Sequence, residues 1–337
     1  MTQVFVSHPS DKLDAYFGAD AAAALAAFAE VRYNPEPREL ATAELAEAAR
    51  DCEALIAYRQ TPAPAALFAA LPALVVFARC AIDIRTVDVA AASRHGVLVT
   101  QASAGFVAAV SEWVIAVMID LARGIGRAAE AYHRGDEARP AMGRELRGAT
   151  LGIVGFGRIG RAVATLASAF GMRVVASDPH VEGAAGGPSM MSLAALLAAS
   201  DFVVCLAVAG PETEKLFDAS AFAAMKPGAI FVNASRGELV VEAALLAALD
   251  SGRLAGCAVD VGLAADQMPS PAVARHPLVI ATPHIGGLTR TATSHQACET
   301  VAQIEALLQG RMPTGAVNAA EATRLRRWGH AVADAPA

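Results

Sequence analysis

Long apolar runs are missing from this chain. No stretch reaches the roughly 18–20 residues that a membrane-spanning helix needs; the longest, residues 65–78, is broken by Pro72 and followed by Arg79. The first residues, MTQVFVSHPSDKLD, carry no basic segment followed by an apolar core, so no secretory signal is expected. Cysteine is scarce. Cys52, Cys80, Cys205, Cys257 and Cys298 lie far apart, odd in number and without a CxxC pair. That spacing argues against a disulfide framework and against a zinc site, and no metal is expected. Reduced thiols in a cytoplasmic protein are the expectation. Long basic runs are also absent and the net charge is −6, which argues against nucleic acid as a partner. The short patch Arg324, Arg326 and Arg327 reads as a solvated helix face. Nothing repeats at a solenoid period.

What the chain does have is alternation. Its 337 residues suffice for two cores, and much of the 55 % apolar fraction is alanine, which signals helix-rich packing. Short β-branched runs alternate with alanine-rich helical ones, the pattern of βα units. Strands are expected near residues 4–6, 31–33, 54–58, 74–77 and 97–100. A second set is expected at 151–154, 173–176, 202–206, 229–233, 256–260 and 278–281. Helices are expected at 42–50, 87–93, 158–170, 192–199, 219–225 and 241–250, with Ser192 and Asp218 as N-caps. Two longer helices, about 106–123 and 291–308, flank the second set. Parallel sheets covered by helices on both faces follow. The expected class is α/β with two doubly wound domains: residues 102–287 as a Rossmann unit inserted into a discontinuous flavodoxin-like domain of residues 1–101 and 288–337.

The segment LGIVGFGRIG (151–160) contains a GxGxxG, weak evidence when alone. Here it follows a strand and opens an amphipathic helix, so each glycine has a physical task. Gly155 permits the tight turn, Gly157 lets a pyrophosphate approach the backbone, and Gly160 lets helix and strand pack closely. Phe156, Arg158 and Ile159 complete the loop, and the helix N-terminus offers unpaired N–H groups and partial positive charge. Asp178 stands eighteen residues beyond Gly160 at the end of the next strand. A carboxylate there accepts ribose hydroxyls and repels a 2′-phosphate, favouring NAD over NADP.

From about residue 74 to 318 the chain resembles the D-isomer-specific 2-hydroxyacid dehydrogenases. The segments that carry the likeness are GATLGIVGFGRIG (148–160), MKPGAIFVNASRG (225–237), Asp260-Val261 and TPHIGG (282–287). The resemblance implies a cofactor domain inserted into a substrate domain, and a homodimer. It implies that Ala234 lies beside the cofactor and that Arg236 binds and polarises a 2-keto acid, a task suited to a planar, bidentate guanidinium. His284 would be the general acid/base, since imidazole exchanges a proton near neutral pH. Asp260 would orient the nicotinamide carboxamide; its plain alternative is a strand-end aspartate capping a turn. Of the remaining histidines, His8, His95, His133, His180, His276 and His330 read as surface or loop residues. His295, within the last helix, either reaches the site or packs there.

Two departures from the family pattern stand out. The family's Asp-Val-Phe-x-x-Glu-Pro supplies a glutamate that pairs with the histidine. This chain reads DVGLAADQMP (260–269), with Ala265 in the glutamate's place. Asp266 or Gln267 could reach the imidazole after a small loop shift, or the ring could have no partner; Asp266 is the preferred candidate. The family's Gly-x-Gly-x-Asp-x-x-Asp turn grips the substrate carboxylate with backbone N–H groups. This chain has AIDIRTVD (81–88), and Ala81 and Asp83 cannot take positive φ as cheaply as glycine. Arg79 and Arg85, in or beside that loop, either supply charge for an anionic group or are ordinary solvated residues.

The expected activity is hydride transfer between NAD(H) and a D-2-hydroxy acid or its 2-keto partner. The alternatives are an NAD(H)-binding regulatory protein with little turnover and, more remotely, a phosphite-oxidising relative's chemistry on the same scaffold.

Overall fold

The computed structural model describes residues 1–183 and 187–331. The chain forms two compact units, one from Met1–Phe106 with Thr289–Ala337 and the other from Val107–Leu288. Residues 332–337, within the expected range 288–337, lie outside the described residues.

In the first unit, β1 (Thr2–Val6), β2 (Ala29–Tyr33), β3 (Ala54–Ala57), β4 (Val76–Arg79) and β5 (Leu98–Gln101) form one sheet in the order β2-β1-β3-β4-β5. Every pairing is parallel, giving the flavodoxin-like order. Alternate residues serve opposite faces, as the two-residue strand period requires. Val4, Val6, Ile56 and Val76 pack with Ala297, Val301, Ile304 and Leu307 of the helix Arg290–Leu308. Phe5, Leu55 and Phe77 pack on the other face with Leu67, Phe68 and Ala91. Each valine, leucine, isoleucine or phenylalanine among them contributes about 1.5–3 kcal/mol by leaving water.

The arginine patch near the C-terminus is solvated at Arg326 and Arg327, with Arg324 half-buried, and it also holds main-chain carbonyls. Arg324 donates to the carbonyls of Leu71 and Leu74 at 2.8 and 2.7 Å, and Arg327 donates to that of Pro72 at 2.9 Å. The guanidinium groups satisfy carbonyls that the turn between residues 71 and 74 leaves without strand partners.

In the second unit, β6 (Thr150–Val154), β7 (Arg173–Ser177), β8 (Ser189–Met190), β9 (Phe202–Cys205), β10 (Ala229–Asn233), β11 (Leu254–Val259) and β12 (Val279–Ala281) form a parallel sheet. Their order is β12-β11-β10-β9-β6-β7-β8, the Rossmann arrangement with one strand added. The central strands β6, β9 and β10 are buried on both faces, whereas β12 is only half-buried, as suits an edge. Ser192 and Asp218 cap their helices as expected, accepting from the N–H of Ala195 and Ala221. The two-residue β8 was not expected, because Ser189–Met190 offers no β-branched run. Strand order reverses between β6 and β9, and open parallel sheets bind ligands beyond the carboxyl ends of strands at such a point.

Candidate active site

The glycine turn joins β6 to the helix Arg158–Ala169. Gly155 takes φ 92°, and a Cβ there would sit 2.4 Å from the backbone nitrogen of Ala207. At Gly160 a Cβ would sit 2.5 Å from the carbonyl oxygen of Gly155. Both positions are therefore closed to side chains by the protein's own backbone. Gly157 differs: a Cβ there would meet nothing within 4 Å. The protein leaves this space open beside a helix N-terminus that no side chain caps, as backbone approach by a pyrophosphate requires.

Asp178 follows β7 and faces the same turn. Its Oδ2 accepts from the N–H of Phe156 at 2.7 Å, and its Oδ1 accepts from the N–H of His180 at 2.9 Å. A carboxylate has about four acceptor positions, so each oxygen keeps one for a ribose hydroxyl. Phe156 is buried under the guanidinium of Arg161, 4.9 Å from its ring centre.

Arg236 follows β10 in extended conformation, with Nη1 donating to the carbonyl of Ser235 at 2.7 Å. The turn is fastened by Asn233, whose amide donates to the Arg236 carbonyl at 2.9 Å and whose Oδ1 accepts from the N–H of Ser235 at 3.0 Å. Asp260, buried at the end of β11, braces the segment after β12. Its Oδ1 accepts from the Thr282 hydroxyl at 2.5 Å and the Ile285 N–H at 2.8 Å, and its Oδ2 accepts from the Gly286 N–H at 2.7 Å. Three of about four acceptor positions are thus engaged, and one on Oδ2 remains.

His284 sits inside that braced segment, half-buried, at φ 56°. Its Nδ1 lies 3.0 Å from the main-chain carbonyl oxygen of Asp266. Asp266, the preferred candidate, does meet the imidazole, and the contact on Nδ1 is made by its main-chain carbonyl. A carbonyl oxygen only accepts, so Nδ1 carries the hydrogen and Nε2 is left to exchange a proton.

The loop of residues 80–88 belongs to the first unit. None of its residues has positive φ, so the chain crosses this position without the left-handed backbone that glycines would permit. Arg85 is about half exposed and grips Asp83, Nη2 to Oδ2 at 2.9 Å. Arg79 is neither solvated nor able to meet a ligand: it is 0 % exposed. Its guanidinium donates to the carbonyls of Tyr58 and Thr61 at 2.5 and 2.7 Å and to the Thr86 hydroxyl at 3.0 Å. It ties the ends of β3 and β4 together, and burial pulls its pKa down to about 10, leaving it charged. His8, expected at the surface, is also buried, between Phe17 and Tyr58. His295 is exposed, its Nε2 2.9 Å from the hydroxyl of Ser103 in the first unit.

Residues 115–286 match the family model described as D-isomer specific 2-hydroxyacid dehydrogenase, NAD binding domain. Over 288 residues the chain is 36 % identical to D-3-phosphoglycerate dehydrogenase of Rattus norvegicus, a match covering 84 % of this chain and 54 % of that protein. The chain thus spans about half the length of the curated relatives it matches. Among solved structures, TT0316 protein from Thermus thermophilus superposes with a TM-score of 0.83 at 31 % identity, covering 94 % of this chain and all of that one. The apo-structure of D-lactate dehydrogenase from Escherichia coli shares the fold, with a TM-score of 0.82 at 24 % identity over 94 % of this chain and 100 % of that one.

The chain belongs to the D-isomer specific 2-hydroxyacid dehydrogenase family.

Residues 115–286 are the family's NAD-binding domain, and NAD fits the turn: open space at Gly157, an uncapped helix N-terminus and spare acceptor positions on Asp178. Three participants in this site are not evident from side-chain type. Thr282 and Gly262 stand in the sequence only as members of the segments 282–287 and 260–269, and the Asp266 carbonyl carries no residue-type signal of its own. The signal available for the last two was the pair of glycines, Gly237 and Gly262, one beside Arg236 and the other two residues past Asp260.

Proposed function

We propose that the chain is an NAD-dependent oxidoreductase that interconverts a D-2-hydroxy acid and its 2-keto acid. The observation that carries this reading is positional. Gly155–Gly160, Asp178, Arg236, Asp260 and His284 follow the carboxyl ends of β6, β7, β10, β11 and β12 in one parallel sheet, so all lie along the edge where such sheets bind ligands.

NAD, when bound, supplies or accepts the hydride. The Gly155–Gly160 turn, with Phe156, Arg158 and Ile159, holds its phosphates, and Asp178 accepts its ribose hydroxyls. Ala234 lines its path, and the remaining acceptor position of Asp260 takes the carboxamide. Arg236 holds the substrate carboxylate and carbonyl oxygen together, which fixes the carbonyl carbon and polarises it. Nε2 of His284 gives its proton to the carbonyl oxygen in reduction and takes it back in oxidation. Arg85, on the loop of residues 80–88, is the candidate charged contact for an anionic substrate group.

NADH consumption with a panel of 2-keto acids tests this. The reading expects turnover of at least one, and loss of about 100-fold or more in kcat/KM on His284→Ala or Arg236→Ala. Turnover indifferent to both substitutions would refute the assignment. No observation favours a regulatory protein without turnover. A homodimer in the cytoplasm completes the proposal. Its support is the helix Ile125–His133, which buries no residue in the single chain and exposes Ile125 and Tyr132, and the five free cysteines. Light scattering after gel filtration reads the mass.

A further inference from the structure

A catalytic histidine works only if its ring is held in one orientation and one tautomer. In this family a glutamate side chain would do this, and here Ala265 stands in its place. We propose that Gly262 and the left-handed pair Asp266–Gln267 form a main-chain clamp that replaces the glutamate, with the Asp266 carbonyl as the group orienting His284. The proposal rests on His284 as the proton-exchanging group.

Three observations carry it. First, the contact itself: Nδ1 of His284 lies 3.0 Å from the Asp266 carbonyl oxygen. Second, the backbone on both sides of that contact is strained. Among the described residues four non-glycine residues have positive φ, and three of them meet here: Asp266 at 55°, Gln267 at 57° and His284 at 56°. Non-glycine residues hold this conformation only where surrounding structure imposes it, and such positions cluster at functional sites. Third, the turn that imposes it is closed by its own hydrogen bonds. Gly262 N–H donates to the Gln267 carbonyl at 2.7 Å, and Ala264 N–H donates to the Met268 carbonyl at 3.0 Å.

Gly262 makes that closure possible. A Cβ at this position would lie 2.5 Å from Cα of Pro269 and 2.7 Å from the Met268 carbonyl oxygen, both backbone atoms with little freedom to move. On its other side, a Cβ at Gly237 would lie 2.3 Å from the Gly262 carbonyl carbon. Two glycines therefore let the turn after Arg236 and the turn before His284's partner press backbone to backbone. The family motif has phenylalanine where this chain has Gly262. The two departures, phenylalanine to glycine and glutamate to alanine, are then one change: no side chain at 262 keeps the turns apart, and a main-chain carbonyl takes the carboxylate's place. Gly262, Asp266 and Gln267 are positioning residues, acting through His284.

The tautomer of His284 tests the clamp without any turnover. Long-range ¹H–¹⁵N spectra of the NAD⁺-loaded protein, assigned by comparison with His284→Gln, should show the neutral ring with its hydrogen on Nδ1. Free imidazole in water prefers Nε2–H, and that tautomer in the wild type overturns the proposal. Gly262→Ala should return the ring to Nε2–H and lower kcat for keto-acid reduction by about 10- to 100-fold, with NADH affinity unchanged. A variant that keeps both the Nδ1–H form and its kcat overturns the role of Gly262, as does one that loses NADH binding and kcat together. Should Gly262→Ala not fold, the wild-type tautomer decides. If no keto acid is turned over at all, the proposed function fails while the spectrum still judges the clamp.

Discussion

The Thr282 hydroxyl donates a 2.5 Å hydrogen bond to Oδ1 of Asp260, two residues before His284. The same carboxylate holds the N–H groups of Ile285 and Gly286, just beyond the histidine. One buried acid thus pins both flanks of the proposed proton donor, which explains how His284 can hold its unfavourable backbone.

Asp260→Asn would turn an acceptor-only group into one that points an amide N–H₂ at donors. A loss of about 1–3 kcal/mol in stability is expected from the mismatched buried bonds, measured by denaturant melts. Thr282→Val, which removes one donor and leaves two, should cost less in stability. Both should lower kcat, because the segment carrying His284 loosens.

The three glycines of the turn should separate. Gly155→Ala and Gly160→Ala place a Cβ 2.4–2.5 Å from backbone atoms, so both should lower Tm and NADH affinity together. Gly157→Ala meets open space within the protein and should leave Tm nearly unchanged. Its NADH affinity should still fall about 10-fold or more, because the new methyl occupies the ligand's approach. Thermal melts with and without NADH distinguish the two patterns.

Asp178 predicts cofactor choice. The wild type should bind NADH at least about 10-fold more tightly than NADPH, since a 2′-phosphate would face the carboxylate. Asp178→Ser should narrow or reverse that ratio. It should also destabilise the turn, because the Phe156 N–H loses a charged acceptor. Fluorescence titration with both cofactors gives the ratio.

His8 should make the protein acid-sensitive. Burial, and then the nearby Arg79 guanidinium, pull its pKa down to about 3, so the folded state keeps it neutral. The unfolded chain takes up this proton near the ordinary value of about 6.5. Between those values the unfolded state binds more protons, so the contribution is complete above about pH 6.5 and falls by roughly 1.4 kcal/mol per pH unit on acidification. In His8→Gln that part of the slope should vanish, whatever the variant's absolute stability. Denaturant melts at several pH values between 4 and 7 compare the slopes.

The cofactor turn was legible in the sequence because its determinants are local. Strand, glycines, helix and Asp178 follow one another within one βαβ unit, and steric demands on a tight turn show in residue type. Both sheets were legible from β-branched runs, except β8, whose two residues carry no such pattern. Arg79 was not legible. Arginine is almost never fully buried, and the carbonyls of Tyr58 and Thr61 that permit it lie 21 and 18 residues away in the chain. His284's partner escaped for a different reason. Residue type points to the side chains of Asp266 or Gln267, whereas the acceptor is a main-chain carbonyl that every residue possesses; only the backbone angles at Asp266 and Gln267 bring it there.

The most direct test of the account is the product of one reaction. Purified protein, NADH and a 2-keto acid that it turns over are incubated to completion, and the hydroxy acid is resolved by chiral chromatography. The account predicts the D-enantiomer alone, in amount equal to the NADH consumed, and almost none with His284→Ala. An L or racemic product, or undiminished product from the His284 variant, would contradict it.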